Sequence, residues 1–233
     1  ATLLTHKVKL PLADDMARHI TNGKLIMAGE FDVIYQNVYS YTDAGHPFVN
    51  HHWLSGVVYY LFFQVIGWNG LVILKVITYL LAFSLIFLSA LRKADFWLVS
   101  VLSIPSIFII MERMSLRPEM FSYLFIAFYV YFLLRYQDNP ESNKIFWLIP
   151  IQLLWVNMHI FWSIGIMIVG AFLFEKIIEN RKNLRQSIIV KKLAIVLLVM
   201  SAVVFINPNG AKGVFYRYPS DFPVKIAENN SLL

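Results

Sequence analysis

The longest polar stretch of the chain runs from Pro11 to Gly56 and concentrates groups that can carry charge or move a proton. Asp14 and Asp15 stand side by side, four residues before Arg18 and His19. A carboxylate pair can take a proton from a hydroxyl group or hold a divalent metal ion through its oxygens. The alternative is that both side chains cap a helix and complement its dipole, for which Asp14 is the better placed. We therefore expect Asp15 to be the catalytic group and Asp14 to be the second candidate.

His51 and His52 follow in the same stretch, just before an aromatic segment. An imidazole there could bind a phosphate or a metal ion, or the two could be interfacial histidines, one outward and one hydrogen-bonded within the fold. Adjacent side chains on a helix diverge by about 100°, so the pair is not expected to share one ion. The sequence leaves open which of the two histidines is functional.

Two shorter segments carry further candidates for a substrate-binding site. One short link contains Glu112, Arg113, Arg117 and Glu119. Arginine suits a bidentate grip on phosphate, although the two glutamates could instead neutralise the two arginines. Asn157 and His159 end an apolar run and could add an amide and an imidazole to the same site, or serve a structural role.

The composition is that of a membrane protein. Of the 233 residues, 58% are hydrophobic and 16% aromatic, and several apolar runs approach the roughly 20 residues that a spanning helix needs. The net charge of +6 does not indicate nucleic acid, because half of the Lys and Arg lie in three clusters between apolar runs, where they report orientation. The absence of Cys excludes thiol chemistry, and no GxxxxGK[ST], GxGxxG, HExxH or GxSxG motif is present.

The pattern predicts an all-α polytopic membrane protein with about six spanning helices. Residues 13–28 should form a short amphipathic helix and residues 31–49 an extended, exposed segment, whereas residues 50–66 could either span the membrane or lie in its interface. Spanning runs are expected near 69–91, 96–111, 118–134, 145–160, 161–175 and 192–206. If 50–66 does not cross, all three basic clusters fall on one side, as the positive-inside rule asks.

This topology divides the chain into three parts. Residues 1–68 form an external loop with interfacial helices, residues 69–207 form the six-helix membrane domain, and residues 208–233 form an external segment that leads into a further part. We expect the sequence to be a piece of a longer protein, with at least one helix before residue 11 and more chain after residue 233.

The order of three segments resembles the amino-terminal half of bacterial GT-C-fold membrane glycosyltransferases. These segments are ADDMARHITNGKLIMAGE, YSYTDAGHPFVNHHWLSGVVYYLF and the G-x-NGL that opens the first spanning run. That superfamily includes protein O-mannosyltransferases, lipid A aminoarabinose transferases and oligosaccharyltransferases. The resemblance covers about residues 11–120 by pattern and the rest by hydropathy alone.

The resemblance implies a reaction and a place for it. A sugar would pass with inversion from a polyprenyl-phosphate donor to an acceptor hydroxyl, on the extracytoplasmic side of the bacterial cytoplasmic membrane. Asp15 or Asp14 would match the catalytic acid of the first loop, while Arg113, Arg117 and His51 or His52 would stabilise charge on the departing phosphate. The second loop offers only Glu112 and Glu119 where many relatives have Asp, so a divalent metal ion is an open option and no other cofactor is expected.

Two readings from other functional classes remain open at this point. A lipid-linked sugar transporter would need ionisable residues at the membrane midplane, of which Lys75 is one of the few in the apolar runs. A non-catalytic scaffold would pack with other membrane subunits and use the polar loop as a docking surface.

Overall fold

Every regular element is a helix in the residues that this computed structural model describes, which are 15–42, 46–112 and 116–215. The backbone of these ranges adds one isolated antiparallel bridge, between Gln36 and Pro47. The all-α prediction is confirmed.

The helices, in chain order, are α1 (Met16–Met27), α2 (Asp32–Tyr35), α3 (Trp53–Ile66), α4 (Trp68–Ala90), α5 (Phe96–Glu112), α6 (Glu119–Asp138), α7 (Leu148–Met158), α8 (Ser163–Glu179), α9 (Ile188–Val203) and α10 (Gly210–Val214). Two 3₁₀ turns, Asn143–Trp147 and Ile160–Trp162, lead into α7 and α8. Each of the six predicted apolar runs therefore overlaps one of the helices α4 to α9.

Helices α4 to α9 run back and forth between two ends of one bundle. Asp138 closes α6 and forms an ion pair with Arg92, which follows α4, so these two helices end side by side. Lys192, in the first turns of α9, reaches the same end, where its ammonium donates to the carbonyls of Pro140 and Glu141 at 3.2 and 2.6 Å. We call this the basic end, because the loops around Arg92, Arg135 and Lys176 meet there.

Helix α3 lies across the opposite end of the bundle. Ser55 near its start donates to the carbonyl of Met158, the last residue of α7, at 2.6 Å. Tyr59 packs against Phe121 in the first turn of α6, with ring centroids 5.7 Å apart. The Phe62 backbone then touches Gly70 in the first turn of α4. In sequence order α3 thus contacts the ends of three helices.

Helix α1 packs along α3 through two glycines. A Cβ on Gly23 would stand 2.1 Å from the carbonyl oxygen of Gly56, and one on Gly56 would stand 2.8 Å from the carbonyl oxygen of His19. Any side chain at either position would push the helices apart. The two glycines therefore allow a backbone contact that fixes α1 on the end of the bundle.

The segment between α1 and α3 agrees in part with the extended, exposed chain that its sequence predicts, since Phe31, Tyr39 and Tyr41 are exposed. It contains the short helix α2, and Val33, Ile34 and Val49 are buried. The Asn50 side chain donates to the carbonyl of Val33 at 3.2 Å and so closes this loop. The β-branched residues fill a small core with Ile26 of α1, which gives them a different role from an exposed strand.

Large apolar side chains are exposed on several helices, as on a membrane protein. The length of each helix decides whether it could cross a membrane. Trp68–Ala90 and Ile160–Glu179 are long and apolar enough to cross a membrane. Helix α7, with 11 residues, would extend only about 16 Å, against roughly 30 Å of hydrocarbon. Many of the large side chains on α5 are exposed, with Trp97 at 78% and Ile109 at 70%.

Candidate functional site

Four histidines from separate parts of the sequence lie at the end of the bundle that α3 covers. They are His19 of α1, His51 and His52 before α3, and His159 after α7. The His19 and His52 rings meet edge to face with centroids 5.7 Å apart, and the His52 and His159 rings stack at 5.0 Å. We call His19, His52 and His159 the histidine cluster and this end of the bundle the histidine end.

His159 is held by a chain of hydrogen bonds from the core. Trp155, which is fully buried, donates from Nε1 to Ser122 Oγ at 2.8 Å, and Ser122 Oγ lies 2.8 Å from His159 Nδ1. The Phe161 N–H also donates to His159 Nδ1, at 3.4 Å. Because Nδ1 is thus an acceptor, the neutral His159 ring carries its proton on Nε2, and the Ser122 hydroxyl donates to it.

His52 presents an unpaired acceptor within the cluster. Its ring donates a hydrogen bond to the carbonyl of Met158. Its Nδ1 is buried and has no hydrogen-bond partner in the described ranges, so the donor atom is Nε2. His19 Nδ1 is likewise buried and unpaired there. Two ring nitrogens of the cluster are therefore without a partner in the described part of the chain and are also shielded from solvent in this conformation.

Burial keeps the histidine cluster uncharged at neutral pH. Desolvation lowers the pKa of His19 to about 3, with smaller contributions from the charges of His52, Arg18 and His159. Desolvation lowers the pKa of His52 to about 4 and that of His159 to about 3. Burial also lowers the pKa of His51. These rings can accept or donate hydrogen bonds at pH 7, but they supply no positive charge to a phosphate.

Asp15 stands at the outer rim of the cluster. It occupies the position before α1, where its side chain makes no capping hydrogen bond, and its carboxylate lies 3.3 Å from the guanidinium of Arg18. Both side chains are exposed, and their charges act on the pKa of His52. A carboxylate and a guanidinium cation therefore face solvent close to the buried imidazoles.

Asn157 positions the helix ends around the cluster instead of facing an open space. Its Oδ1 accepts from Trp53 Nε1 at 3.0 Å, while its amide donates to the carbonyls of Leu153 and Ile206 at 2.8 and 3.0 Å. These bonds tie α3, α7 and the end of α9 together. Among the described residues, the Asn157 amide is therefore occupied by structural contacts.

The remaining candidates are placed only in part. Arg117 and Glu119 are half-buried at the start of α6, which is the histidine end of that helix. Asp14, Arg113 and the side chain of Glu112 lie outside the described residues. The four-residue phosphate clamp predicted from this link thus stays a prediction.

Within the described ranges, no group of three or more His, Asp or Glu side chains is arranged to hold a metal ion. The stacked geometry of His52 and His159 agrees with this finding, since parallel rings do not aim their nitrogens at one point. The option of a divalent ion at Asp14 and Asp15 involves residue 14 and remains a prediction.

Sequence reasoning missed three members of this site. In the sequence His19 is one of several ionisable residues in the polar stretch with Asp15, and Ser122 and Trp155 lie within apolar runs. The spacing offered one signal, because His19, Gly23 and residue 16 share a helical face. Ser122 gave none, since a serine in an apolar run usually bonds to its own helix, as Ser103 and Ser106 do.

Comparison of the chain with models of protein families, with curated proteins and with solved structures gives no match. Any functional assignment therefore depends on the residues and their geometry.

Proposed function

We propose that this protein is a membrane glycosyltransferase that moves a sugar from a polyprenyl-phosphate donor to an acceptor hydroxyl at the histidine end. The observation that carries the proposal is the exposed Asp15–Arg18 pair in front of buried imidazoles, two of whose nitrogens are unpaired. This arrangement sits at the end of an apolar bundle, where a lipid-linked donor could present its head group.

The proposed reaction forms one bond to the anomeric carbon and breaks another. The acceptor oxygen forms a bond to the anomeric carbon, the bond from that carbon to the phosphate oxygen breaks, and polyprenyl phosphate leaves. Asp15 takes the hydroxyl proton. Arginine stabilises the negative charge on the leaving phosphate. Arg18, beside Asp15, is one candidate, and Arg113 and Arg117 are the others.

The histidines have a different role in this proposal from the one that their sequence suggests. Their pKa values lie well below neutrality, so His52 acts as a hydrogen-bonding group and not as a cation for the phosphate. Its unpaired Nδ1 is buried, so it would orient the incoming hydroxyl towards the sugar only after a movement that opens the cluster to the substrate.

We extend the proposal to six crossings of the bacterial cytoplasmic membrane. Trp68–Ala90 and Ile160–Glu179 are long and apolar enough to cross, whereas α7 would need a locally thinner membrane. The collection of Arg92, Arg135, Lys176 and Lys192 at the end opposite the cluster supports the orientation. In this topology the basic end is cytoplasmic, the histidine end is extracytoplasmic, and α1 and α3 lie in the interface.

The test is release of polyprenyl phosphate by the purified protein in lipid nanodiscs, with a panel of polyprenyl-phosphate sugars and their acceptors. Asp15→Asn should lower turnover on the order of 10²-fold or more, as expected for loss of a general base. The matched control is Asp32→Asn, which removes an exposed carboxylate of the same polar stretch in the first turn of α2. Equal turnover in the two variants would remove Asp15 from the mechanism, and no release by the wild type with any donor would remove the proposal.

One observation favours a non-catalytic scaffold as the second candidate. The Asp15 carboxylate is paired in the open with Arg18, and exposed pairs of this kind also occur without any function. A scaffold would keep its assembly with other membrane subunits in the Asp15→Asn variant and would show no turnover in the wild type. Co-purification of partners with both forms separates the two readings.

A further inference from the structure

A second polar site lies at the basic end, where α6 ends and the chain turns towards α7. A cavity of about 220 Å³ is lined there by Tyr131, Phe132, Arg135, Tyr136, Asn139, Ser142, Lys144 and Ile145. A water molecule occupies about 30 Å³ of liquid, so the cavity admits a phosphate with several attached atoms. No step of the glycosyl transfer proposed above involves this cavity.

The cavity contains a buried hydroxyl that lacks a partner. Tyr136 is only 2% exposed, and its Oη makes no hydrogen bond in the described part of the chain. Burying a hydroxyl without a hydrogen bond is costly, by about 1–3 kcal/mol in protein data. The Tyr136 ring lines the cavity, and a small shift of this side chain on binding would let the hydroxyl recover the loss by donating to a bound acceptor.

Two cations line the same cavity. Arg135 and Lys144 are both in its wall, and neither forms an ion pair with any described residue; the guanidinium instead lies over the ring of Tyr131, 5.2 Å from its centroid. Of the nearby acids, Asp138 is paired with Arg92, whereas Glu141 does not line the cavity but is close enough for its charge to act on the Tyr136 hydroxyl. Two cations against this one carboxylate leave the local charge positive, which suits an anion.

Hydrogen bonds and core packing hold the walls of the cavity in place. The main-chain N–H of Ser142 donates to the carbonyl of Asn139 at 3.1 Å, and Lys192 holds the carbonyls of Pro140 and Glu141 from α9. Ile145, 1% exposed, forms part of the core beneath. Arg135, in the last turn of α6, and Lys144, in the 3₁₀ turn before α7, thus lie on either side of a loop that these contacts hold in place.

We propose that this cavity binds the phosphate of an anionic membrane lipid. Tyr136 donates its hydroxyl hydrogen to a phosphate oxygen, Arg135 and Lys144 neutralise the charge, and the lipid chains pass along the apolar side of Phe132 and Tyr131. Basic pockets between helices at a membrane surface have this specificity for anionic head groups. The inference needs a membrane but does not depend on the glycosyltransferase proposal.

The test measures binding of dihexanoyl phosphatidic acid to the purified protein in neutral detergent, with no sugar donor present. Tyr136→Phe should weaken binding about tenfold, the loss of one hydrogen bond to a charged acceptor, and Arg135→Gln should weaken it at least as much. The matched control is Arg181→Gln, which removes an exposed cation at the same end but outside the cavity. This control should bind as the wild type does.

Thermal unfolding without lipid supplies a second readout. Tyr136→Phe removes an unpaired buried hydroxyl, so it should leave the melting temperature unchanged or raise it while it weakens binding. A merely structural tyrosine would not separate these two effects. Unchanged affinity in both Tyr136→Phe and Arg135→Gln would overturn the site.

Two further probes identify the source of the phosphate. Dihexanoyl phosphatidylcholine should bind at least tenfold more weakly than the phosphatidic acid, because it carries no net charge. Glycerol 3-phosphate and inorganic phosphate should also bind more weakly, because they lack the chains. If either of these binds as tightly as the lipid, the site takes a free phosphate ester and the lipid assignment is wrong.

Discussion

The two ends of the bundle carry basic side chains of different kinds in different surroundings. At the histidine end, His19 and His159 are buried and uncharged. At the basic end, Arg135 and Lys144 are exposed. Burial lowers the pKa of the histidines further below their usual 6.5, so these rings act as hydrogen-bonding groups, whereas Arg and Lys are the residue types suited to act as cations.

The pH dependence of stability should show this contrast most strongly. In the folded protein the pKa values of His19, His52 and His159 are lowered to about 3, 4 and 3 from a usual value of 6.5. The unfolded chain therefore binds more protons as pH falls through 6.5. The stabilisation is fully present above pH 6.5 and is lost towards pH 4, by up to about 1.4 kcal/mol per pH unit for each histidine.

Chemical unfolding at a series of pH values between 7.5 and 4.5 measures this loss. His159→Asn should lower the dependence on pH, whereas His46→Gln, which changes an exposed histidine, should keep it. A slope that is the same in both variants and the wild type would contradict a neutral cluster.

Adding a methyl group between α1 and α3 should have the next largest effect, and only at the histidine end. In Gly23→Ala the new Cβ meets the Gly56 carbonyl oxygen, which cannot move without its helix. We expect a loss of about 1–3 kcal/mol in the free energy of unfolding, the usual cost of overpacking. Gly170→Ala in α8 is the control, since its Cβ would meet nothing within 4 Å, and it should be neutral or slightly stabilising.

Breaking the hydrogen-bond chain to His159 should cost somewhat less. Ser122→Ala leaves the buried Trp155 Nε1–H without its acceptor, which costs about 1–2 kcal/mol. Ser106→Ala should change the free energy of unfolding very little, because that exposed hydroxyl bonds only to its own helix at Leu102. Equal losses in the two variants would show that the chain to His159 carries no special stability.

At the basic end, removal of an ion pair should have the smallest effect. Arg92→Gln breaks the pair with Asp138, whose side chain is half exposed. Such pairs contribute about 0.2–1 kcal/mol, and salt screens them. The difference from the wild type should therefore vanish in 1 M salt, whereas the loss in Ser122→Ala should persist.

Particular residues show how far the sequence could lead. The apolar runs predicted α4 to α9 within a few residues. Each of these helices has an apolar surface, so its sequence is a nearly continuous stretch of hydrophobic residues. The helix at 13–28 was predicted and is observed as Met16–Met27. The segment 31–49 was predicted only in part, because its small core depends on Ile26 of α1 and on the Asn50 bond to Val33, contacts that local periodicity does not show.

The site divides in the same way. The sequence identified Asp15, His51, His52 and His159 by residue type and by their place beside apolar runs. It could not bring His19 and His159 to the two sides of His52, since these three residues span 140 positions of the chain. It also could not assign their charge, because burial is a property of the fold.

The sequence by itself determined that this protein is helical, which runs are apolar, and that its basic residues cluster between them. These properties follow from composition and local periodicity, which each segment carries alone. Only the tertiary structure decided that α3 crosses the helix ends, that Gly23 meets Gly56, and that Ser122 holds His159. Each of these contacts depends on distances between separate segments, and those distances also decide which side chains lose their water and hence their charge.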